Sequence, residues 1–365
     1  MATVLRAAVE DRRRILEGAR LRPYFAASCR GYDDNHVRKV RLNQIESQLD
    51  DLLDHSDVDV LVSNTGWIIV QHGLVETVTG QPLALIREPS WIDRDLLEEA
   101  ARLARARGAL RLGIDVFVQD EVEQTALAAA GFEAEYQRVL RRVPSRLPAS
   151  APARGQATGE VDASDPVARA ETDGGTETPT VGAETDGGTR GSAPGRQNLL
   201  LSRNGVNVYR ASEDDRVFLL ALSTRCVPFM FCESRQGDLP LVRRRFFDVY
   251  ATLDLSGKPD FQVLVATVNG EPAGAVMYAA RSSQGLDKRD EAYIYDVSVE
   301  PERWGRSVAA ALIQACIEEL DRCGIEYLGG DVAVDNARVL ALAQRFGFVV
   351  EHRRHYRRLD GSADV

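Results

Sequence analysis

From Glu291 onward the hydrophobic and polar positions alternate in blocks. EAYIYDVSV reads as a strand, EPERWGRS as a tight polar loop, VAAALIQACIEELDRCG as a helix and IEYLGGDVAV as a second strand. The helix follows from apolar Val308, Ala311, Leu312, Ala315 and Leu320, spaced to share one face, with Cys323-Gly324 as its stop. Upstream, the Asn269-Gly270 turn separates FQVLVATV from AGAVMYAA, a hairpin signature that requires antiparallel pairing.

The same order of elements occurs earlier in the chain. VLRAAVEDRRRIL (Val4 to Leu16) parallels VYRASEDDRVFLL (Val208 to Leu220), a displacement of 208 − 4 = 204 positions, and both read as a short strand, a polar N-cap region and a helix. An Asn64-Thr65-Gly66 turn parts VDVLVS from WIIV as Asn269-Gly270 does later. The closing segments LGIDVFVQDEVEQTALAAAGF and LGGDVAVDNARVLALAQRFGF align without a gap: Asp115 maps to Asp331 and Gly131 to Gly347, both displaced by 216. Two diverged copies of one mixed α/β fold are expected. Each is a mostly antiparallel twisted sheet flanked by helices, and intramolecular pairing of the two copies is open.

Between Tyr136 and Tyr209 no aromatic residue occurs, and AETDGGT appears twice, at Ala170 to Thr176 and Ala183 to Thr189. A Pro-, Gly-, Ala- and Thr-rich acidic stretch of this kind buries too little apolar surface to offset its ordering entropy. The expected organisation is a first copy over 1–143, a disordered linker over 144–205 and a second copy over 206–365.

Composition narrows the function classes. With 365 residues and 44% hydrophobic content, two ordinary cores can be buried. A net charge of −10 argues against a nucleic-acid surface, which needs a basic patch. No run of eighteen apolar residues and no apolar leader appears, so neither a membrane span nor secretion is expected, and the reading is cytoplasmic. The five cysteines lack C-x-x-C pairing and the five histidines lack ligand spacing, so reduced thiols and no metal are expected.

A strand that feeds a small-residue loop into a helix N-terminus gathers free backbone N–H groups and the helix dipole at one point, a natural diphosphate site. Here VSVEPERWGRSVAAALI resembles the V-x-P-x-x-R-G-x-G-x-G/A cofactor motif of the GNAT (GCN5-related) N-acetyltransferase superfamily, and DNARVLALAQRFGF resembles its later N-x-x-A-x-x-L-Y-x-x-x-G-F motif. The resemblance covers Val206 to about Leu359 well and Met1 to Val143 weakly, which implies a degenerate N-terminal copy. It implies an acetyl or short acyl group carried from acetyl-CoA to a small-molecule or protein amine acceptor. It also implies that Val297 and Val299 offer backbone groups to the pantetheine arm, and that Gly305, Arg306, Ser307, Val308 and Ala309 form the phosphate cradle. Arg303 or Arg306 supplies charge beside it, with a solvated surface arginine as the alternative, and Asn336 belongs to the cofactor site through the second motif.

The departures from the family pattern fall on the chemistry. Ser307 stands where the motif has Gly, and a small residue suffices there provided its φ is negative. Trp304 replaces a cation or amide, to pack over adenine or against the sheet. Ala343 stands where the family commonly has the Tyr that protonates the departing thiolate. Tyr356 is the candidate substitute, although RRHYRR (Arg353 to Arg358) reads by default as a solvated strand edge. Asp296 is the candidate base, with a strand-end carboxylate bonded to a neighbouring N–H as the alternative. Tyr293 and Tyr295 read as core or as the acyl-chain side. Cys226, Phe229, Met230, Phe231 and Cys232 read as an acceptor pocket or as a buried inter-helix connection. A non-catalytic acyl-CoA-binding module and a tandem-repeat interaction scaffold stay open beside the enzyme.

Overall fold

The structure, a computed structural model, describes residues 4–21, 34–76, 79–87, 92–118, 120–143, 199–255, 261–282 and 291–359. The repeated AETDGGT segments, Cys29 and Glu88-Pro89 lie outside them.

The first half supplies strands β1 (Leu5–Arg6), β2 (Val58–Val62), β3 (Trp67–Val75), β4 (Pro82–Ile86), β5 (Arg111–Phe117) and β6 (Glu133–Arg142). Its helices are α1 (Arg12–Leu21), α2 (Asp34–Asp54), α3 (Arg94–Ala106) and α4 (Glu121–Ala129). The second half supplies β7 (Leu199–Arg203), β8 (Val206–Arg210), β9 (Phe261–Val268), β10 (Glu271–Ser282), β11 (Glu291–Val299), β12 (Tyr327–Ala333) and β13 (Val349–Arg358). Its helices are α5 (Arg216–Cys226), α6 (Leu239–Thr252), α7 (Val308–Arg322) and α8 (Ala337–Arg345). The helix expected from the apolar spacing is α7, whose Val308, Ala311, Leu312, Ala315 and Leu320 are all buried. The mixed α/β, largely antiparallel architecture read from the hairpin turns is the one observed.

All thirteen strands join one sheet in the order β1-β2-β3-β4-β5-β13-β6-β12-β11-β10-β9-β8-β7. Pairing is antiparallel throughout except for β4 with β5 and β11 with β12, each of which joins strands on either side of a crossover helix. Apart from the additional outer strand β7, the order of pairing is therefore the same in both halves up to the last strand, and there the halves exchange. β6 of the first half pairs with β12, and β13 of the second half pairs with β5. Val139 and Val143 accordingly pack into the core under α7, and Leu359 packs into the core under α3.

Two arginines anchor the exchange. Arg354 on β13 holds Asp115 on β5 through bonds of 2.7 and 2.9 Å, and Arg138 on β6 lies 3.8 Å from Asp331 on β12. Arg138 also pairs with Glu291 at the start of β11, a residue with no exposed surface. The displacement of 216 that relates the two aspartates relates these two arginines as well, since 354 − 138 = 216.

Two expectations are corrected. RRHYRR is not a solvated edge, because β13 is an interior strand between β5 and β6, with Arg353 bonded to Gln124, Arg354 to Asp115 and Arg357 to Glu98. Leu199–Arg203, placed in the linker on composition, is strand β7. Asn204-Gly205 is a hairpin turn with both φ positive (51° and 74°), the conformation that Asn-Gly adopts readily, and it folds β7 onto β8.

Candidate active site

The site begins with a defect in β11. Its register against β10 runs from Gly274↔Val299 to Met277↔Asp296 and then jumps to Tyr278↔Ile294, so Tyr295 is an extra residue, a β-bulge. Bulges bend a strand, and β11 leaves β12 at this point: their pairing ends at Ile294↔Gly330. From Tyr295 to Val299 the edge of β11 is open. The Glu300 N–H bonds to the Ala273 carbonyl at 2.9 Å, which fixes the alternation of the antiparallel ladder. The backbone groups of Val297 and Val299 consequently point away from β10; the Val297 carbonyl and the Val299 N–H face the gap, while the Val297 N–H serves the Asp296 carboxylate and the Val299 carbonyl accepts from the Trp304 indole.

That gap opens into a cavity of about 590 Å³ bounded by β11, the 301–307 loop, the first turn of α7, β12, α8 and the segment after α5. Val139 of the exchanged strand β6 forms part of its wall. Gly305 has φ +77° and open space where a Cβ would stand. Ser307 has φ 63° and ψ 8°, the left-handed region, against the expectation of a negative φ. The loop turns so sharply into α7 that this position needs the conformation in which glycine is at ease. Ser307 makes no side-chain cap, so the N–H groups of Val308, Ala309 and Ala310 open the helix unanswered at the cavity wall.

The first half differs at the corresponding helix. Asp93 caps α3 by accepting from the Leu96 N–H at 2.7 Å, and its other oxygen accepts from Ser63 Oγ at 2.8 Å and from Thr65 Oγ1. An internal carboxylate already occupies that helix N-terminus.

Trp304 packs against the sheet edge. Its indole N–H donates to the Val299 carbonyl at 2.9 Å, the Arg338 guanidinium lies 3.6 Å over its ring, and Phe229 meets it edge-on at 4.9 Å. Arg303 lines the cavity while bonded to Glu271 at 2.9 Å, and Arg306 is exposed on the loop. Asn336 is committed to structure: its carbonyl oxygen caps α8 at the Val339 N–H, 3.2 Å, and its amide donates to the Phe229 carbonyl, 3.0 Å. It thereby pins the Phe229 segment to the cavity.

Asp296 lies at the cavity wall, 4% exposed, on the face covered by α5 and α6. It accepts hydrogen bonds from the Tyr250 hydroxyl and from Ser298 Oγ at 2.8 and 3.1 Å. Burial raises its pKa to about 6, with Tyr250, Ser298 and the Val297 N–H opposing the shift. A carboxyl poised there takes a proton near neutral pH far more readily than an ordinary Asp. Burial and the Asp296 charge beside it hold the Tyr250 phenol well above its usual range, so it serves as a fixed donor. Cys226 packs next to this group, its thiol raised to about 11 by burial. Neither Tyr250 nor Ser298 carries a recognisable pattern in the chain, and Tyr250 reaches Asp296 from a helix 46 positions away.

Tyr356 is not brought to this site. It is buried between β5 and β6 with the Arg111 guanidinium 4.2 Å over its ring, and it does not line the cavity. It therefore supplies no acid there, and Ala343, which does line the cavity, carries none. Tyr295 is half-exposed on the bulge rather than core, whereas Tyr293 packs under Arg138. Phe229 and Met230 line the cavity, while Phe231 and Cys232 are buried behind them. Among the described residues no group of three or more His, Cys, Asp or Glu side chains clusters as a metal site, and no helix is long and apolar enough to cross a membrane.

The site thus joins a bulged, splayed strand to an uncapped helix N-terminus in a mixed α/β domain. Residues 229–348 match the Acetyltransferase (GNAT) family, and the chain thus carries a GNAT-type acetyltransferase domain. An uncharacterized N-acetyltransferase of Methanocaldococcus jannaschii is 32% identical over 84 residues, 23% of this chain and 37% of that protein. The ribosomal protein bS18-alanine N-acetyltransferase of Escherichia coli is 31% identical over 78 residues, 21% of this chain and 53% of its own. The chain thus spans about half or less of the length of these curated relatives. A GCN5-related N-acetyltransferase from Sphaerobacter thermophilus shares the fold at TM-score 0.50 and 12% identity, covering 100% of this chain and 98% of that one.

Proposed function

We propose that the protein is an acyl-CoA-dependent N-acyltransferase that moves an acetyl or short acyl group to an amine, with one cofactor site per chain, in the second half. The observation that carries this reading is the edge of β11 left unpaired by β12, with the Val297 carbonyl and the Val299 N–H facing the gap, leading on one side to the unanswered amides of α7 and on the other to Asp296. The pantetheine arm would pair with the strand edge and the diphosphate would meet Val308, Ala309 and Ala310. Asp296 would take a proton from the incoming amine, directly or through water. The departing thiol, with an ordinary pKa of about 8.5, needs no strong acid near neutral pH, so Ala343 is compatible with turnover. No metal takes part in this reading.

The first half is, on the same reading, a degenerate copy that serves as structural partner. The repeated order of pairing and the displacement of 216 support common descent, and the Asp93 cap on α3 supports the loss of its anion site. Cofactor binding without turnover is the second reading, favoured by Ala343 and the missing acid.

The test uses the full chain, because the two halves share strands. Calorimetric titration with acetyl-CoA is expected to give one site per chain, and Ala309→Glu, which places a charge in the first turn of α7, is expected to abolish it. Two sites, or one site that survives Ala309→Glu, would refute the assignment. Acceptor-dependent thiol release from acetyl-CoA separates the enzyme from the binding module.

A further inference from the structure

The acceptor side of the cavity has a chemistry of its own. Asp296 faces α5 and α6, and the wall around it carries Cys226, Phe229, Met230 and Tyr295. Phe229 and Tyr295 are 45% and 49% exposed, which makes them apolar surface waiting at the mouth rather than core. Tyr295 is turned out by the bulge and stands edge-on to Tyr293 at 4.9 Å, with Phe261 at 6.0 Å. Met230 adds a polarizable, adaptable side chain.

The charged side chains that line the cavity besides Asp296 are Arg303, Asp331, Arg338 and Arg345. Arg303 is bonded to Glu271, Arg338 is stacked on Trp304, and Asp331 lies between Arg138 and Arg354. Arg345 is exposed in the last turn of α8. The neutral hydrogen-bonding groups are similarly engaged, Ser298 with Asp296 and Asn336 in its cap. Apart from exposed Arg345 and Ser307, a second charge or a set of hydroxyls on the acceptor would meet a wall whose polar groups already have partners, and an unpaired buried polar group weakens binding by roughly tenfold or more.

We propose that the acceptor is a small primary amine on an apolar body without a second charge, an arylalkyl or alkyl amine, held between Phe229, Met230 and Tyr295 with its nitrogen directed to Asp296. The inference rests on the acyltransferase reading. The ammonium gives one proton to Asp296. The nitrogen then bonds to the acyl carbonyl carbon as the C–S bond breaks, and its second proton passes through solvent to the departing thiolate, so that amide and free thiol are the products. Aromatic faces near the entrance also favour the approach of a cation.

The test measures thiol release by the full chain with acetyl-CoA and six amines: 2-phenylethylamine, hexylamine, ethanolamine, glucosamine, lysine and spermidine. The two apolar amines are expected to exceed glucosamine and spermidine in kcat/KM by roughly 50-fold or more. Met230→Ser is expected to raise KM for 2-phenylethylamine roughly tenfold, with kcat and acetyl-CoA affinity within about twofold of the parent. A preference for glucosamine, lysine or spermidine, or a Met230→Ser variant with unchanged KM, overturns the acceptor class and leaves the acyltransferase standing. No release with any of the six overturns the acceptor class, and the acyltransferase reading falls with it where calorimetry also finds no acetyl-CoA site.

Discussion

Replacing Asp296 by Asn separates a catalytic carboxylate from a structural one, because the two roles predict opposite effects on stability. Asp296 is 4% exposed and its pKa is raised to about 6 from an ordinary 3.8, chiefly by burial. A folded pKa above the unfolded one means that the associated stability is fully present below about pH 4 and is lost as the pH rises through about 6. The shift of about 2 units corresponds to roughly 3 kcal/mol lost by pH 7.5. Asn carries no charge and escapes this loss, while the rotatable hydroxyls of Tyr250 and Ser298 adapt to an amide. The expected outcome at pH 7.5 is a variant at least as stable as the parent, more stable by up to about 3 kcal/mol. Its acetyl-CoA affinity should be unchanged, and its turnover should fall by about 10²–10⁴. In the parent, kcat/KM should rise with pH through about 6 as Asp296 ionises. Urea denaturation at pH 5 and 7.5, calorimetric titration and thiol release measure the three quantities. If the variant loses stability at pH 7.5 and keeps its activity per folded molecule, Asp296 is a structural carboxylate and the mechanism is wrong.

Other outcomes follow from single features of the structure. Ser307→Gly should stabilise the protein by about 1 kcal/mol in thermal unfolding while preserving acetyl-CoA affinity, because the position has φ 63°; Ser307→Leu should abolish cofactor binding by calorimetry. Arg235, 1% exposed, bonds to Glu76 at 2.6 and 2.7 Å, to Glu135 at 3.1 Å and to Asp238 at 2.7 Å, so Arg235→Ala should cost about 3–5 kcal/mol in urea denaturation. Residues 1–143 and 199–365 should aggregate or stay unfolded when produced separately and should co-purify as a folded pair when produced together, because each lacks the strand that completes its sheet.

Whatever depends on short-range pattern could be read from the chain. The Asn-Gly turn fixed the β9–β10 hairpin, the apolar spacing fixed α7, and the small-residue loop between β11 and α7 marked the uncapped start of that helix. What escaped depends on partners distant in sequence. RRHYRR looks solvent-facing because four of its six residues are arginines, yet Asp115, Glu98 and Gln124, more than 220 positions away, hold three of them inside the sheet. Charge alone does not place a strand at an edge; the partners decide it. Leu199–Arg203 was hidden by the composition of its neighbours, although Asn204-Gly205 carried the same turn signature that located β9–β10. The condition set for Ser307, a negative φ, is not met, because the handedness of a tight turn is fixed by the strand and helix it joins and not by the residue's size.

The exchange of strands gives the first half a role in the candidate site, although Asp93 caps its own helix α3. β6 is the neighbour of β12 on the side away from β11, so it helps set how far β12 stands from the bulged strand, and its Val139 reaches the cavity wall. The same half grips the segment after α5. Glu76 and Glu135 bind Arg235, and Gln81 donates to Asp238 at 3.2 Å, only a few residues beyond Phe229 and Met230 at the cavity. Burial raises the Glu135 carboxyl to about 7 despite Arg111 beside it. Three carboxylates against two guanidiniums leave this cluster one negative charge in excess when all are ionised, and a proton on Glu135 removes that excess. By the sign of that shift, the stability tied to Glu135 is lost as the pH rises from about 4.5 through 7. Glu135→Gln should therefore flatten the pH dependence of unfolding across that window, measured by urea denaturation at half-unit intervals. An unchanged slope would show that Glu135 is ionised throughout, held by Arg111 and Arg235 together.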